Sequence, residues 1–160
     1  MSLFEDDRYQ YRETCFVLFS SAHRPSARKL AEVLRSLGDR YQVSAPETSI
    51  DGDFDALTVY CPDDRAAIDV SFVDGEEVQE QIDELLEDFH QVTLSSQDQS
   101  KLEQIRRCDA RLDLFHFEER GDDEDEEDPG FDPGALLVVL ERLAKLTGGV
   151  GVDPQSLTLL

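Results

Sequence analysis

The chain has 160 residues, of which 37 are Asp or Glu and 15 are Lys or Arg, so its formal net charge is −22. Nucleic acids and anionic membranes are bound mainly through Lys and Arg, so this balance argues against both as partners. Hydrophobic residues still make up 39% of the chain, enough to form a core, and the length predicts one domain over residues 1–160.

The cysteines and the N-terminal residues indicate the compartment. Cys15, Cys61 and Cys108 lie far apart without paired spacing, which disfavours a disulfide framework and a zinc ribbon. The first residues lack the basic flank and apolar centre of a signal peptide, and no apolar stretch approaches the length of a membrane span. We therefore expect a soluble, cytoplasmic protein.

The first elements follow from the apolar pattern of residues 15–52. A short apolar run at 15–21 predicts a buried strand, central in its sheet. Apolar residues from Leu30 to Leu37 at helical spacing predict a helix that Gly38 ends. A second strand at 40–44 and a polar loop at 45–52 should follow.

The middle of the chain predicts a hairpin, two helices and a strand. Segments 56–61 and 66–73 are rich in β-forming residues, and the turn residues 62–65 separate them. An amphipathic helix over 78–89 and a shorter helix capped by Ser95 or Ser96 should follow. Alternating apolar residues at 110–116 then predict a strand.

The last part of the chain predicts a helix and a hairpin. Asp132 and Pro133 have the residue types expected of an N-cap and a first helical position, and Gly148 and Gly149 should end this apolar helix. Segments 150–152 and 157–160 flank turn residues and predict a terminal hairpin. We interpret Gly151 as a close packing contact or a bulge.

The resulting order, β-α-β-β-β-α-α-β-α-β-β, predicts an α+β fold. Its opening resembles the βαββαβ pattern of ferredoxin-like domains. We therefore expect a mixed or antiparallel sheet with the helices packed mainly on one face.

The C-terminal segment resembles the C-terminal part of other sequences. Its helix ALLVVLERLAKLT followed by GGVGVDPQSLTLL is similar to the ending of uncharacterised bacterial α+β domains, over residues 135–160. This resemblance implies a small bacterial interaction or immunity protein and carries no catalytic residue.

A run of seven acids marks an exposed acidic insertion, predicted over 118–130. The run consists of Asp122, Asp123, Glu124, Asp125, Glu126, Glu127 and Asp128. Such a surface favours a basic protein partner because long-range attraction raises the encounter rate. The acidity also fits salt adaptation or simple solubility, and the sequence leaves these alternatives open. We expect close contacts from neighbouring aromatic residues, namely Phe115, Phe117 and Phe131.

The residues between the first strand and the first helix concentrate scarce cations. His23, Arg24, Arg28 and Lys29 lie at a predicted helix N-terminus, where backbone N–H groups and hydroxyls bind anions. The alternative to a protein-binding role is therefore an anion-sensing or small-molecule-sensing module at loop 20–29. An ordinary capped turn, with cations paired to nearby acids, explains the same residues.

Two other motifs lack residues that their chemistry requires. Acids alternate at 51–55 as in a calcium loop, but Ala56 and Pro62 stand where glycine and glutamate are needed. His116 and Glu118 resemble half of a zinc deaminase motif that also requires a Pro-Cys-x-x-Cys element. The sequence therefore predicts no metal, cofactor or catalytic residue and a non-enzymatic role, although distant residues could still assemble an active site.

Overall fold

An antiparallel β-sheet forms the centre of the computed structural model, which describes residues 3–120 and 134–160. In these ranges the strands are β1 Tyr9–Phe19, β2 Gln42–Val43, β3 Glu47–Thr48, β4 Phe54–Cys61, β5 Ala66–Asp74, β6 Ala110–Glu119, β7 Val150–Asp153 and β8 Thr158–Leu159. The helices are α1 Ala27–Arg35, α2 Glu76–His90, α3 Ser96–Ile105 and α4 Gly134–Thr147. The strand order is β2-β4-β5-β6-β1-β7-β8, with β3 also paired to β4.

Local capping signals fix where several helices begin and end. The Ser26 hydroxyl accepts a hydrogen bond from the Lys29 amide at the start of α1, and Ser95 caps α3 in the same way. At the end of α4, Gly148 has a φ of +67°, and the Gly149 amide donates to the Ala144 carbonyl. The predicted Ser95 cap and the glycine stop are therefore confirmed.

The two faces of the sheet pack against different helices. Along β1, Cys15, Val17 and Phe19 join a core cluster with apolar residues of α1 and α4. The intervening Phe16 and Leu18 join a second cluster with apolar residues of α2 and α3. Because successive side chains of a strand point to opposite sides, the sheet lies between two helical layers.

Within the described parts of the chain, helices cover one part of the second face. On the β4, β5 and β6 side of that face, a third cluster contains Leu3, Ala67 and Phe117, with Tyr60 and Phe115 packed against it. Among the described residues, this cluster includes no member of α1–α4, and only the short 3-10 turn Leu3–Glu5 lies over it. We call this region the open half of the sheet.

The structure confirms the α+β class, the antiparallel hairpin β4–β5 and the internal position of β1. It does not confirm the ferredoxin-like arrangement, since the sheet has eight strands in the described residues and the helices divide between two clusters. The predicted polar loop contains the short strand β3, because Glu47 and Thr48 pair with β4. The predicted N-cap residues Asp132 and Pro133 lie outside the described residues.

No helix of the described residues is both long enough and apolar enough to cross a bilayer.

Two C-terminal glycines allow close contact with the sheet. A Cβ atom on Gly149 would lie 2.4 Å from the Leu18 carbonyl oxygen and 2.9 Å from the Phe19 Cβ. A Cβ on Gly151 would lie 3.2 Å from Leu140 Cγ, which supports the close-packing interpretation of that glycine. The turn from α4 to β7 thus depends on the missing side chain at position 149.

We expect Gly149→Ala to destabilise the protein by about 3 kcal/mol, because backbone atoms must move to admit the methyl group. Gly52→Ala is the matched control, since Gly52 has a φ of +85° but open space around its Cβ position. Its cost should be about 1 kcal/mol of backbone strain. Urea denaturation measures both, and equal losses would contradict the close contact at Gly149.

Candidate functional site

The open half of the sheet contains a cleft of about 410 Å³. This volume lies within the range typical of ligand pockets. The cleft is formed by the face of β4, β5 and β6, the N-terminal turn and the edge segment before β3. Its lining residues are Phe4, Ser44, Ala45, Glu47, Ala56, Leu57, Thr58, Tyr60, Asp69, Val70, Ser71 and Phe115.

Asp69 supplies the half-buried carboxylate of this cleft. The Thr58 hydroxyl donates to Asp69 Oδ1 at 2.6 Å, and the Leu3 amide donates to Oδ2 at 3.2 Å. These donors come from β4 and from the N-terminal turn, so they fix the carboxylate between two elements. An ionised carboxylate has about four acceptor positions. Each Asp69 oxygen therefore has room for a further donor.

Aromatic rings form the second feature of the cleft. The ring of Phe4 lies edge-on to Phe115, with centroids 5.5 Å apart, and edge-on to Phe117 at 4.8 Å. Tyr60 also lines the cleft, and its ring centroid lies 6.3 Å from that of Tyr9. Phe4 is 57% exposed and Phe117 is buried beneath it. The cleft thus combines a fixed carboxylate with exposed aromatic surface.

A smaller cleft of about 290 Å³ adjoins the first and shares Tyr60 as a wall. Arg8, Tyr9, Gln42 and Glu119 also line it. Arg8 donates to Asp6 Oδ2 at 2.7 Å, so its charge is paired within the N-terminal segment.

A buried ion pair lies where helix coverage of this face ends. The Arg111 guanidinium contacts Asp113 at 2.6 Å, and it also bonds Gln81 and approaches Glu77 of α2. Burial raises the pKa of Asp113, and Arg111 opposes that shift. These contacts tie α2 to the part of β6 that precedes Phe115. They separate the helix-covered half from the open half.

The structure disperses the four cations of loop 20–29. Arg24 donates to the Phe54 carbonyl at 2.9 Å and to Asp55 at 2.6 Å, and its guanidinium lies 3.8 Å from the Phe72 ring centroid. Arg28 pairs with Glu32 on the exposed side of α1, and His23 and Lys29 are also exposed. Arg24 therefore has a structural role, and the anion-sensing hypothesis stays a prediction.

An internal carboxylate already uses donors of that loop. The Ser21 amide donates to Asp109 Oδ1 at 2.6 Å, and the Ser21 hydroxyl donates to Oδ2 at 2.7 Å. These bonds lower the pKa of Asp109, with the backbone bond contributing most. Donors of Ser21 in this loop thus bind a carboxylate of the protein itself, at a position that is not one of the four predicted ligand-binding residues.

The predicted partner-binding acids Asp122, Asp123, Glu124, Asp125, Glu126, Glu127 and Asp128 lie outside the described residues, as does Phe131. Glu118 and Glu119, which the sequence assigns to the acidic insertion, belong to β6. Phe115 lines the cleft, whereas Phe117 is fully buried. Of the aromatic contact residues predicted for a partner, Phe115 is thus the one with exposed surface in the described chain.

The buried polar and sulfur groups give little support for nucleophilic catalysis. Burial raises the pKa of Cys15 and of Cys61 to about 12, and that of Cys108 to about 11. His116 is buried, with its Nδ1 3.9 Å from Glu13, and burial raises the pKa of Glu13. Within residues 3–120 and 134–160, no cluster of three or more His, Cys, Asp and Glu residues is suited to hold a metal.

Comparison of the chain with protein-family models, curated proteins and solved structures finds no match. The resemblance of residues 135–160 to bacterial α+β domains therefore stays a prediction. Function has to be argued from the geometry of the described residues.

Sequence reasoning missed Phe4, Tyr60 and Asp69 as site residues. One signal for them was present in β5, where apolar Ile68, Val70 and Phe72 alternate with polar Asp69 and Ser71. Alternation of this kind indicates that one face of a strand is not packed under a helix. The contribution of Phe4 required knowledge that the N-terminal turn folds over that face.

We expect Arg24→Ala to lower the free energy of unfolding by about 2 kcal/mol, because it removes charged hydrogen bonds to a backbone carbonyl and a ring contact. Arg28→Ala should change it by less than about 0.5 kcal/mol, since its ion pair with Glu32 is exposed. Guanidinium denaturation distinguishes the two. Equal, small losses would show that Arg24 is not structural.

The three thiols should be inert in the folded protein. Because their raised pKa values keep them protonated at pH 8, Ellman's reagent should titrate almost none of them until guanidinium is added. All three should then react. Rapid reaction of one thiol in the native state would contradict this burial.

Proposed function

We propose that the protein is a non-enzymatic binding domain that recognises a basic partner protein. The observation that carries this proposal is the cleft of the open half, whose lining contains both a fixed carboxylate and three aromatic rings. Aromatic residues supply much of the binding energy in protein interfaces. The open half thus offers the close contacts that a purely charged surface lacks.

The charge of the chain supports a basic partner. A formal net charge of −22 attracts cationic surfaces over distances of about one Debye length, roughly 8 Å at physiological salt. Attraction of this kind raises the association rate more than it strengthens the final contacts. The acidic run at 122–128 would steer the encounter, and the cleft would hold the partner.

A toxin-neutralising immunity protein is the most specific form of this proposal. Such a protein binds its cationic target in the cytoplasm and needs no catalytic group. An isolated basic partner would identify the target.

Affinity capture from source-cell lysate at low and moderate salt tests the proposal. We expect the wild type to retain one stoichiometric basic protein, with an association rate that falls about tenfold or more as salt rises. Replacing residues 122–128 by Gly and Ser should slow that association.

A control variant must lose the same seven charges elsewhere. Suitable exposed acids at the end of β5 and on α2, changed to Asn or Gln, are Asp74, Glu76, Glu80, Asp83, Glu84, Glu87 and Asp88. This control should associate faster than the 122–128 variant, because its lost charges lie away from the proposed site. Equal slowing of association by the two variants would show that the acidic run acts only through the net charge. Absence of any basic partner would overturn the proposed function.

A further inference from the structure

We propose that the cleft of the open half is a binding site for a single cationic side chain, the ammonium or guanidinium group of a Lys or Arg residue on the partner. This inference rests on the proposed function, because the partner protein would carry that Lys or Arg residue. The geometry of the cleft gives the chemistry of the ligand independently.

The first argument is the electrostatic composition of the cleft. Among the described residues, its lining includes two acids, Asp69 and Glu47, and no Lys, Arg or His. The Asp69 carboxylate is held by Thr58 and by the Leu3 amide, so it need not reorganise when a donor arrives. An anion would be repelled at this point, whereas a cation gains a charge-assisted hydrogen bond.

The second argument is the aromatic surface beside the carboxylate. Phe4, Tyr60 and Phe115 all line the cleft, and their rings come from three different elements. A ring face attracts a cation within about 6 Å, and its carbon surface covers the methylene stem of Lys or Arg. A carboxylate and aromatic rings in one cleft therefore match both parts of a basic side chain.

The hydroxyl groups of the cleft disfavour an apolar ligand. Ser44, Thr58 and Ser71 place hydroxyl groups in the same lining as Asp69. Burial of these groups against a hydrocarbon would leave hydrogen-bonding capacity unsatisfied, which is costly. A ligand with a polar, donating head is favoured over an aliphatic side chain of equal length.

The protein itself shows how an arginine occupies such a site. On the other face of the sheet, Arg24 donates to Asp55 at 2.6 Å while its guanidinium lies 3.8 Å from the Phe72 ring centroid. That internal site satisfies its cation with one carboxylate and one ring, together with the Phe54 backbone carbonyl. The cleft offers the same two partners to a cation from outside.

An NMR titration tests the inference without the partner. The probes are the N-acetyl methylamides of lysine and arginine, with the norleucine derivative as the uncharged match, added at low salt to the full chain. We expect the two cations to shift the amide signals of Thr58, Asp69 and Ser71 with millimolar affinity. Norleucine should bind at least about fivefold more weakly, because it lacks the charged donor.

Two matched variants separate a specific carboxylate from net charge. Asp69→Asn and Asp74→Asn each remove one negative charge from β5, but Asp74 lies at its exposed end, outside the lining. Asp69→Asn keeps an acceptor for Thr58 and should weaken cation binding about fivefold or more. Asp74→Asn should weaken it less than about twofold, since exposed charges are screened.

Ala45→Arg provides a test that leaves the carboxylate network in place. Ala45 is exposed and lines the cleft. An arginine at this position should occupy the cleft or repel an added cation, so the amide signal shifts should be abolished. Equal weakening in the Asp69 and Asp74 variants, equal binding of norleucine, or full binding by the Ala45→Arg variant would each overturn the inference.

Failure of this inference differs from failure of the proposed function. Capture of the basic partner with undiminished affinity by Asp69→Asn would overturn the cleft as its site and leave the function standing. Specific lysine or arginine binding at the cleft without any basic partner in the lysate would overturn the function and support the cation site.

Discussion

The alternation of side chains along β6 is the constraint on which the rest of the structure depends. Leu112 and Leu114 point into the core shared with α1 and α4, while Arg111, Asp113 and Phe115 point to the opposite face. On that face Arg111 contacts α2. Phe115 lies on the same face four residues further along β6 and lines the cleft. One strand thus passes from the helix-covered half of the sheet to the open half, and a register slip of one residue would exchange the two faces.

Three arginines of the chain join elements of the fold. Arg24 joins loop 20–29 to β4, Arg111 joins β6 to α2, and Arg12 pairs with Glu118 across β1 and β6. Each neutralises an acid that would otherwise repel its neighbours. The excess of acids therefore remains on the surface, where it produces the long-range field that a basic partner would experience.

Local signals predicted the elements, and long-range contacts determined the site. The turn at 62–65, the Ser95 cap and the C-terminal hairpin depend on neighbouring residues, so the sequence indicated them. The cleft depends on the Leu3 amide meeting Asp69 across 66 positions of sequence. The hydrogen bonds in loop 20–29 depend on Ser21 meeting Asp109, which lies 88 positions away in the sequence. Hydrophobic periodicity records which side of an element is buried, but it does not record which distant strand lies beside it. For the same reason it did not predict helices on both faces.

Hydrogen–deuterium exchange of the captured complex tests most directly the claim that the open half is the binding surface. The backbone amides of β4, β5 and the N-terminal turn should exchange more slowly when the partner binds, together with those of the segment around Phe115. Exchange in α2 and α3, which cover the other half, should be unchanged. Protection confined to α2 and α3, or to α1, with none around Thr58 and Asp69, would contradict the account.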